Sequence, residues 1–298
     1  FKQKTAYEIR LSLVGSEMCI RDSLYTLYKS KGLDGIGQLS RLKLKIKQNN
    51  TQTLIENYLN NAAKEQGVSL HEIEDLAVED FGLIDGVKEV MFDDFKAIIR
   101  ITGAGKSELA WIKPDGNPQK TVPESIKSKY ALKYKKLKDT QKKIDQTTSA
   151  QRDRLDRMLR YGRTWVMENF IKHYSNHGLM FFLADKIIWI FRFQGKEDSA
   201  IWLNYNWMNN KMEVISPNEN STISLWHPAT QAVEEIKNWR EFLMLNKIQQ
   251  PIKQAFREVY LLTEAEIRTR TYSNRMAAHI LKQHQYVTSQ KEEIGLAA

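Results

Sequence analysis

The chain has 298 residues, 45 Lys and Arg against 36 Asp and Glu, a formal charge of +9 and 42% hydrophobic residues. That is an ordinary globular composition, and the length suits one large domain or two small ones. A single cysteine, Cys19, excludes a disulfide scaffold, and the most apolar run, Leu179 to Phe193, is too short and too broken by Asp185, Lys186 and Arg192 for a membrane span.

The opening FKQKTAYEIRLSLVGSEMCIRDS reads as translated sequencing adapter of the transposase type. The codons AAG CAG AAG ACG GCA TAC GAG AT give Lys2 to Ile9, CTC GTG GGC TCG give Leu13 to Ser16, and GAG ATG TGT ATA AGA GAC give Glu17 to Asp22. Arg10 to Ser12 fall where the variable index lies. Residues 1–23 are therefore set aside as an artefact expected to pack on nothing specific. The remainder then has no cysteine, which fits a reducing cytoplasm and excludes a thiol nucleophile. Its formal charge is +8, because the excluded stretch holds four Lys and Arg and three Asp and Glu. Both native ends are expected to lie beyond this sequence.

Residues 24–78 read as a helical segment. Leu54, Ile55, Tyr58, Leu59 and Ala62 share one helical face, and Gly67 ends that helix. Leu42, Leu44 and Ile46 alternate with basic residues as a strand would, but the setting favours a basic helix. Ser69 and Glu72 form a capping box opening a helix through Leu76. Residues 79–298 read as an α+β domain with two small antiparallel sheets, long basic helices and a carboxyl-terminal helical motif. The first sheet takes Lys88 to Phe92, Phe95 to Ile101 and Glu108 to Lys113. TGAGKS, Thr102 to Ser107, resembles a phosphate-binding loop, but Arg100 stands where that pattern needs glycine and no helix follows. A hairpin tip is the better reading.

From Lys113 to Lys172 there are sixteen Lys and Arg and seven Asp and Glu. Tyr130 to Gln146 reads as a lysine-rich helix with a thin stripe of Leu132, Leu137 and Ile144. A second amphipathic helix is expected after Ser149, carrying Leu155, Met158, Leu159, Trp165, Val166 and Phe170. Lysines in such a helix are most often a solvated face. The alternative is contact with a nucleic-acid backbone through Lys127, Lys129, Lys133, Lys135, Lys136, Lys138, Lys142 and Lys143. No base-reading motif or stacking platform accompanies them.

Lys186 to Gln194, Ala200 to Tyr205, Lys211 to Ile215 and Thr222 to Leu225 read as an antiparallel meander, with GKEDS and Asn209-Asn210 as turns. Trp189, Trp202, Trp207 and Trp226 are expected in its core. Thr230 to Asn246 reads as a helix with Val233, Ile236, Trp239, Phe242 and Leu243 inward. His173 and His177 have metal-ligand spacing, but Tyr174 stands where a zinc-protease motif needs Glu and no third ligand is apparent. No metal or cofactor is implied.

The last stretch, Gln249 to Gln285, holds the densest run of oriented polar residues. Pro251 suits a first helical position, and Ile252, Phe256, Val259 and Tyr260 follow at helical spacing. Thr263 and Glu266 form another capping box. A third helix from Ser273 places Tyr272, Arg275, His279, Gln283 and Tyr286 along one face. The candidate polar site is Arg257, Glu258, Tyr260, Tyr272, Asn274, Arg275, His279 and Gln283, with Glu258 expected to be buried against an arginine, Arg275 first and Arg257 second.

REVYLLTEAE and TYSNRMAAHILKQHQ, with KTVPESIKSKY, SAQRDRLDRMLRYGRTW, SLWHP, an acidic helix bearing Trp239, and QQPIKQ upstream, occur here in one order. That order resembles the bacterial family of domain of unknown function 4132, whose best-named member is the molybdate metabolism regulator. The resemblance covers about Leu109 to Gln290. It implies a long cytoplasmic bacterial protein with helical repeats upstream and, in some relatives, a WGR module that makes nucleic acid a mild expectation. No reaction comes with it. Three functions remain: a non-catalytic regulatory or interaction module, a ligand-binding or enzymatic domain at the polar site, and a nucleic-acid accessory module using residues 113–172. Partners are unknown, a protein or a nucleic-acid backbone being the options.

Overall fold

The computed structural model describes residues 17–46, 48–257 and 264–271. The chain divides into two units at the Arg257–Glu258 junction.

Among the described residues, the first unit opens with four helices, α1 (Glu17–Tyr28), α2 (Asp34–Lys45), α3 (Asn49–Gln66) and α4 (Leu70–Leu76). Leu24, Leu39, Ile55, Leu59 and Ile73 form their common core. The Leu42–Ile46 alternation is resolved as expected, in favour of helix. Gly67 closes α3 at φ +68°, in the left-handed region that glycine tolerates, and the Ser69 hydroxyl accepts from the Glu72 backbone N–H at 3.1 Å to open α4. Helix α1 runs across the Ser23–Leu24 boundary, and Ile20 packs against this core. The expectation that nothing before Leu24 packs therefore fails at Ile20. Once Leu24 and Leu27 dock, a helix extended backwards by one turn puts residue 20 on the same face.

The first sheet is antiparallel in the order β1 (Val87–Phe92), β2 (Phe95–Gly103), β3 (Lys106–Ile112) and β4 (Pro118–Gln119). TGAGKS is the β2–β3 hairpin tip, with a register shift between Ile101 and Gly103 and Gly105 at φ +86°. Phe92, Ala97, Ile99 and Trp111 belong to the main core, which also takes Leu137 and Ile144 from α6 (Ala131–Met158). A short α5 (Glu124–Lys129) precedes α6.

Two expectations for the basic block are corrected. Helix α6 continues without a break through Ser149 to Met158, because Thr147, Ala150, Gln151, Arg154, Leu155 and Met158 keep its buried stripe at helical spacing. Leu132 is not in the stripe; it is 85% exposed, one turn before the helix reaches the core. Trp165 and Val166 are not helical either. Gly162 at φ +57° turns the chain, and Trp165 enters strand β5 (Thr164–Val166) opposite Ile223. Helix α7 (Met167–Phe170) then runs into a π-helical turn, Ile171–Ser175, and α8 (Phe181–Ala184) follows.

The second sheet has the order β5-β10-β6-β7-β8-β9, all pairs antiparallel, with β6 (Trp189–Phe193), β7 (Lys196–Leu203), β8 (Asn206–Met208), β9 (Val214–Ile215) and β10 (Thr222–Leu225). It is not the simple meander expected. Strand β10 crosses back to pair with β6, Ile223 opposite Phe191, and the turn after β6 is Gln194-Gly195, so that Lys196 to Ser199 are already strand. Trp189 and Trp226 are fully buried as expected, and Phe170, Tyr174, Trp165 and Trp189 form one aromatic cluster. Helix α9 (Val233–Leu245) buries Trp239, Phe242 and Leu243, but Val233, in its first turn, is 66% exposed.

Pro251 does not start a helix: residues 251–257 are bends and turns. Gln254, with no exposed surface, governs this segment. Its side chain accepts from the Ile188 N–H (2.9 Å) and Gln250 Nε2 (2.8 Å) and donates to the carbonyls of Ile188 (2.8 Å) and Trp226 (2.9 Å). A side chain that bridges two strand ends holds the backbone in an irregular path. In the second unit, α10 (Glu264–Thr269) occupies the segment expected to follow the Thr263 cap; Thr263 itself lies outside the described residues.

Candidate functional site

The strongest concentration of buried charge is at Asp75, near the end of α4. Oδ1 accepts from Arg154 Nη2 at 2.8 Å, Tyr174 OH at 2.9 Å and Arg163 Nη1 at 3.4 Å. Oδ2 accepts from Trp165 Nε1 at 3.2 Å and from Arg163 Nη2. Arg163 also donates to the His71 carbonyl at 3.1 Å and lies over the Trp165 ring, 4.6 Å from its centroid. Burial pushes the Asp75 carboxyl up, but Arg154 and Arg163, helped by the Tyr174 hydroxyl, pull it below the usual carboxylate range. Tyr174 is driven above its usual range by burial and by the Asp75 charge. Asp75 is thus an anion, and Tyr174 keeps its proton.

Local structure explains the convergence. Arg154 falls inside the buried stripe of α6, Arg163 follows the Gly162 turn, and the π-helical turn swings Tyr174 inward under the sheet. The hub joins the helical segment to the α+β part. Arg41 Nη1 to Thr147 Oγ1 (3.1 Å) and Arg157 Nη2 to the Leu44 carbonyl (3.0 Å) add to this seam. A pocket of about 440 Å³ opens over the hub, lined by His71, Glu72, Tyr161, Arg163, Asn169 and His173 among others. Burial lowers the pKa of His173, and burial together with Arg163 lowers that of His71, so both are neutral near pH 7.

Of the polar site expected in the last stretch, Arg257 alone is described; Glu258, Tyr260, Tyr272, Asn274, Arg275, His279 and Gln283 lie outside the described residues. Arg257 is buried and forms an ion pair with Asp156 on α6, and its Nε donates to the Lys253 carbonyl at 2.9 Å. His177 is structural. Its Nε2 meets the Val78 carbonyl at 3.0 Å, and its Nδ1 accepts from the backbone N–H groups of Leu179 and Met180, each at 3.2 Å. Among the described residues no group of three or more His, Cys, Asp or Glu is placed to hold a metal ion, and no helix is long and apolar enough to cross a membrane.

The basic block divides sharply. Its arginines face inward or find partners: Arg152 pairs with Asp153, Arg154 and Arg163 with Asp75, and Arg157 reaches a carbonyl. Its lysines stay in solvent. Lys127 pairs with Glu124 at 2.9 Å, Lys129 with Asp93 at 2.8 Å, and Lys133 donates to the Met91 carbonyl at 2.6 Å. Further along α6, Lys135, Lys136, Lys138, Lys142 and Lys143 are all exposed, with Asp139 among them. Lys138 reaches Gln141 at 3.1 Å.

A family model described as domain of unknown function (DUF4132) matches residues 116–293, well over half of the chain. The chain belongs to that family. No curated protein and no solved structure matched it. The DUF4132 match includes Arg154, Arg163, Trp165 and Tyr174 but not Asp75, so the hub is completed by a residue upstream of the matched region. Sequence reasoning missed the hub. The one available signal was Arg154, which keeps step with Ala150 and Met158 on an apolar stripe and so had to be buried and paired.

Proposed function

We propose that this DUF4132 chain is a non-catalytic interaction module of a larger cytoplasmic bacterial protein, working through the lysine face in the first half of α6. One observation carries the reading: Arg154 and Arg163 of the block are spent on the buried Asp75 carboxylate, while the lysines of one helix half remain exposed. Charges spent on internal partners contribute to the fold, whereas clustered solvated cations attract an acidic partner. The competing enzymatic or ligand-binding site around Arg257–His279 has less support, since Arg257 is committed to Asp156.

The exposed lysines favour a nucleic-acid backbone as partner, read without sequence preference. Titrating the chain with duplex and single-stranded DNA at low and moderate salt tests this. Affinity that falls steeply with salt supports it, and binding weaker than about 100 micromolar at low salt, the weak end of ordinary non-specific binding, removes it. The reading keeps residues 24–78 as a helical segment and 79–298 as the α+β domain, and extends to a relation with molybdate metabolism regulators. It also takes residues 1–23 as adapter. Sequencing the source DNA across the Ser23–Leu24 junction should replace those codons, and recovering them from native DNA would refute that origin.

A further inference from the structure

Among the described residues the two sheets have four edge strands, and β5 is the one left open. Lys133 Nζ donates to the Met91 carbonyl at 2.6 Å and so guards the free side of β1. Strand β4 is two residues long and begins with Pro118, and β9 is also only two residues long. Lysine, proline and brevity are common devices by which sheet edges avoid pairing with another chain. Strand β5 pairs with β10 on one side, and Thr164, Trp165 and Val166 include no lysine, no proline and no register shift.

The cleft of about 440 Å³ runs along that free side. Arg163, Thr164, Trp165 and Val166 all line it, and successive strand residues point to opposite faces. A cavity touching all four therefore follows the edge of the strand and not one face of the sheet. The charged lining, Glu72 and Asp75 against Arg163, is net negative. Asp75 is spent on Arg154 and Arg163. Glu72 accepts from Asn169 Nδ2 at 3.3 Å and has no cation paired with it among the described residues. It is the carboxylate left to meet a positive charge.

We propose that β5 is a docking edge for an extended segment of another protein, which adds a strand beside Thr164–Val166 and sets a lysine or arginine against Glu72. Backbone hydrogen bonds along the edge supply the affinity, and the charge pair supplies the selectivity. Val166 and Tyr161, 58% and 70% exposed, offer apolar surface to the neighbouring side chains of the segment. A three-residue strand beside a cleft of this volume suits a short linear segment and not a broad folded surface. The lysine face of α6 attracts anions and this edge attracts a cation, so the two surfaces take partners of opposite charge.

The test pans a phage-displayed library of random heptapeptides on the full chain, with the Glu72→Lys chain panned in parallel. Selected peptides should share a basic residue at one position beside β-branched or aromatic residues. A synthetic copy should shift the backbone amide NMR signals of Thr164, Trp165 and Val166. Replacing its basic residue by glutamate, or N-methylating the amides that face β5, should each weaken binding about tenfold. Glu72→Lys should select acidic peptides instead, and Lys135→Glu with Lys136→Glu should leave binding unchanged. Should Glu72→Lys fail to fold, Glu72→Gln keeps an acceptor for Asn169 and should weaken the basic peptide about threefold. No enrichment over an unrelated protein overturns the proposal. So do peptides without a shared basic position, shifts confined to another surface, or affinity indifferent to N-methylation.

Discussion

Removing Asp75 should be among the most damaging single changes this chain can suffer. In Asp75→Ala, two guanidinium groups whose side chains are 6% and 8% exposed lose their carboxylate. Stranding one buried charge costs about 3–5 kcal/mol, and leaving the Tyr174 hydroxyl and Trp165 N–H unsatisfied adds roughly 1–3 kcal/mol each. Relaxation and water entry reduce the sum, but a loss above about 5 kcal/mol rivals the whole stability of an ordinary domain. Asp75→Ala is therefore expected not to accumulate in folded form. Asp75→Asn keeps the shape and is the measurable variant, expected to lose about 3 kcal/mol in urea denaturation followed by tryptophan fluorescence. Pairing it with Arg154→Gln should cost clearly less than the two single changes together, because each single change already breaks the same interaction. The pH dependence has a definite sign. The folded-state pKa of Asp75 is depressed, so its contribution is complete above the unfolded carboxylate pKa and is lost as pH falls through the folded one. Asp75→Asn should flatten that acid limb. A loss below about 1 kcal/mol, with additive double-mutant energies, would refute the view that the hub holds the two parts together.

Asp185 gives the opposite sign: burial raises its carboxyl to about 6, and its Oδ1 is buried without a partner. Its contribution is present below the unfolded pKa and lost as pH rises through 6, so Asp185→Asn should stabilise the chain at pH 8 by about 1–3 kcal/mol and do little at pH 4, as read by denaturation at both values. Gln254→Ala leaves the Ile188 N–H and the Trp226 carbonyl without their side-chain partner, while the Ile188 carbonyl keeps the Trp226 N–H, and should cost roughly 2–4 kcal/mol, with thermal melting as the assay and a neutral outcome counting against the bridging role. Gly178→Ala would place a Cβ 1.9 Å from the Leu83 carbonyl oxygen, so a drop of about 1–3 kcal/mol is expected, again by melting.

Much of the fold was legible because local signals and burial agree over most elements. The Ser69 cap, the Gly67 stop, the three strands of the first sheet and the face of α3 all follow from residue spacing. The failures lie where long-range pairing overrides spacing. Leu155, Met158, Leu159, Trp165 and Phe170 look like one helix, yet the Gly162 turn and the pairing of Trp165 with Ile223 cut it in two. The return of β10 to β6 is a topological choice that alternation cannot encode. Gln254 was invisible as a bridge, since a glutamine in a turn-like segment carries no pattern. At the candidate site, the lysines stand out in the sequence as a group, and their exposure from Lys135 to Lys143 agrees with a solvated face. The Asp75 hub leaves no pattern in the sequence, because its members lie up to 99 residues apart and only the packed core brings them together.

The division of labour between buried and exposed charge separates what holds the fold from what meets a partner. Its most direct test is a single chain carrying Lys135→Glu, Lys136→Glu, Lys138→Glu and Lys143→Glu, measured for melting temperature and for duplex DNA binding across a salt series. An almost unchanged melting temperature with binding abolished at every salt concentration is expected. A chain that melts much earlier, or that binds DNA as tightly as the unsubstituted one, would contradict it.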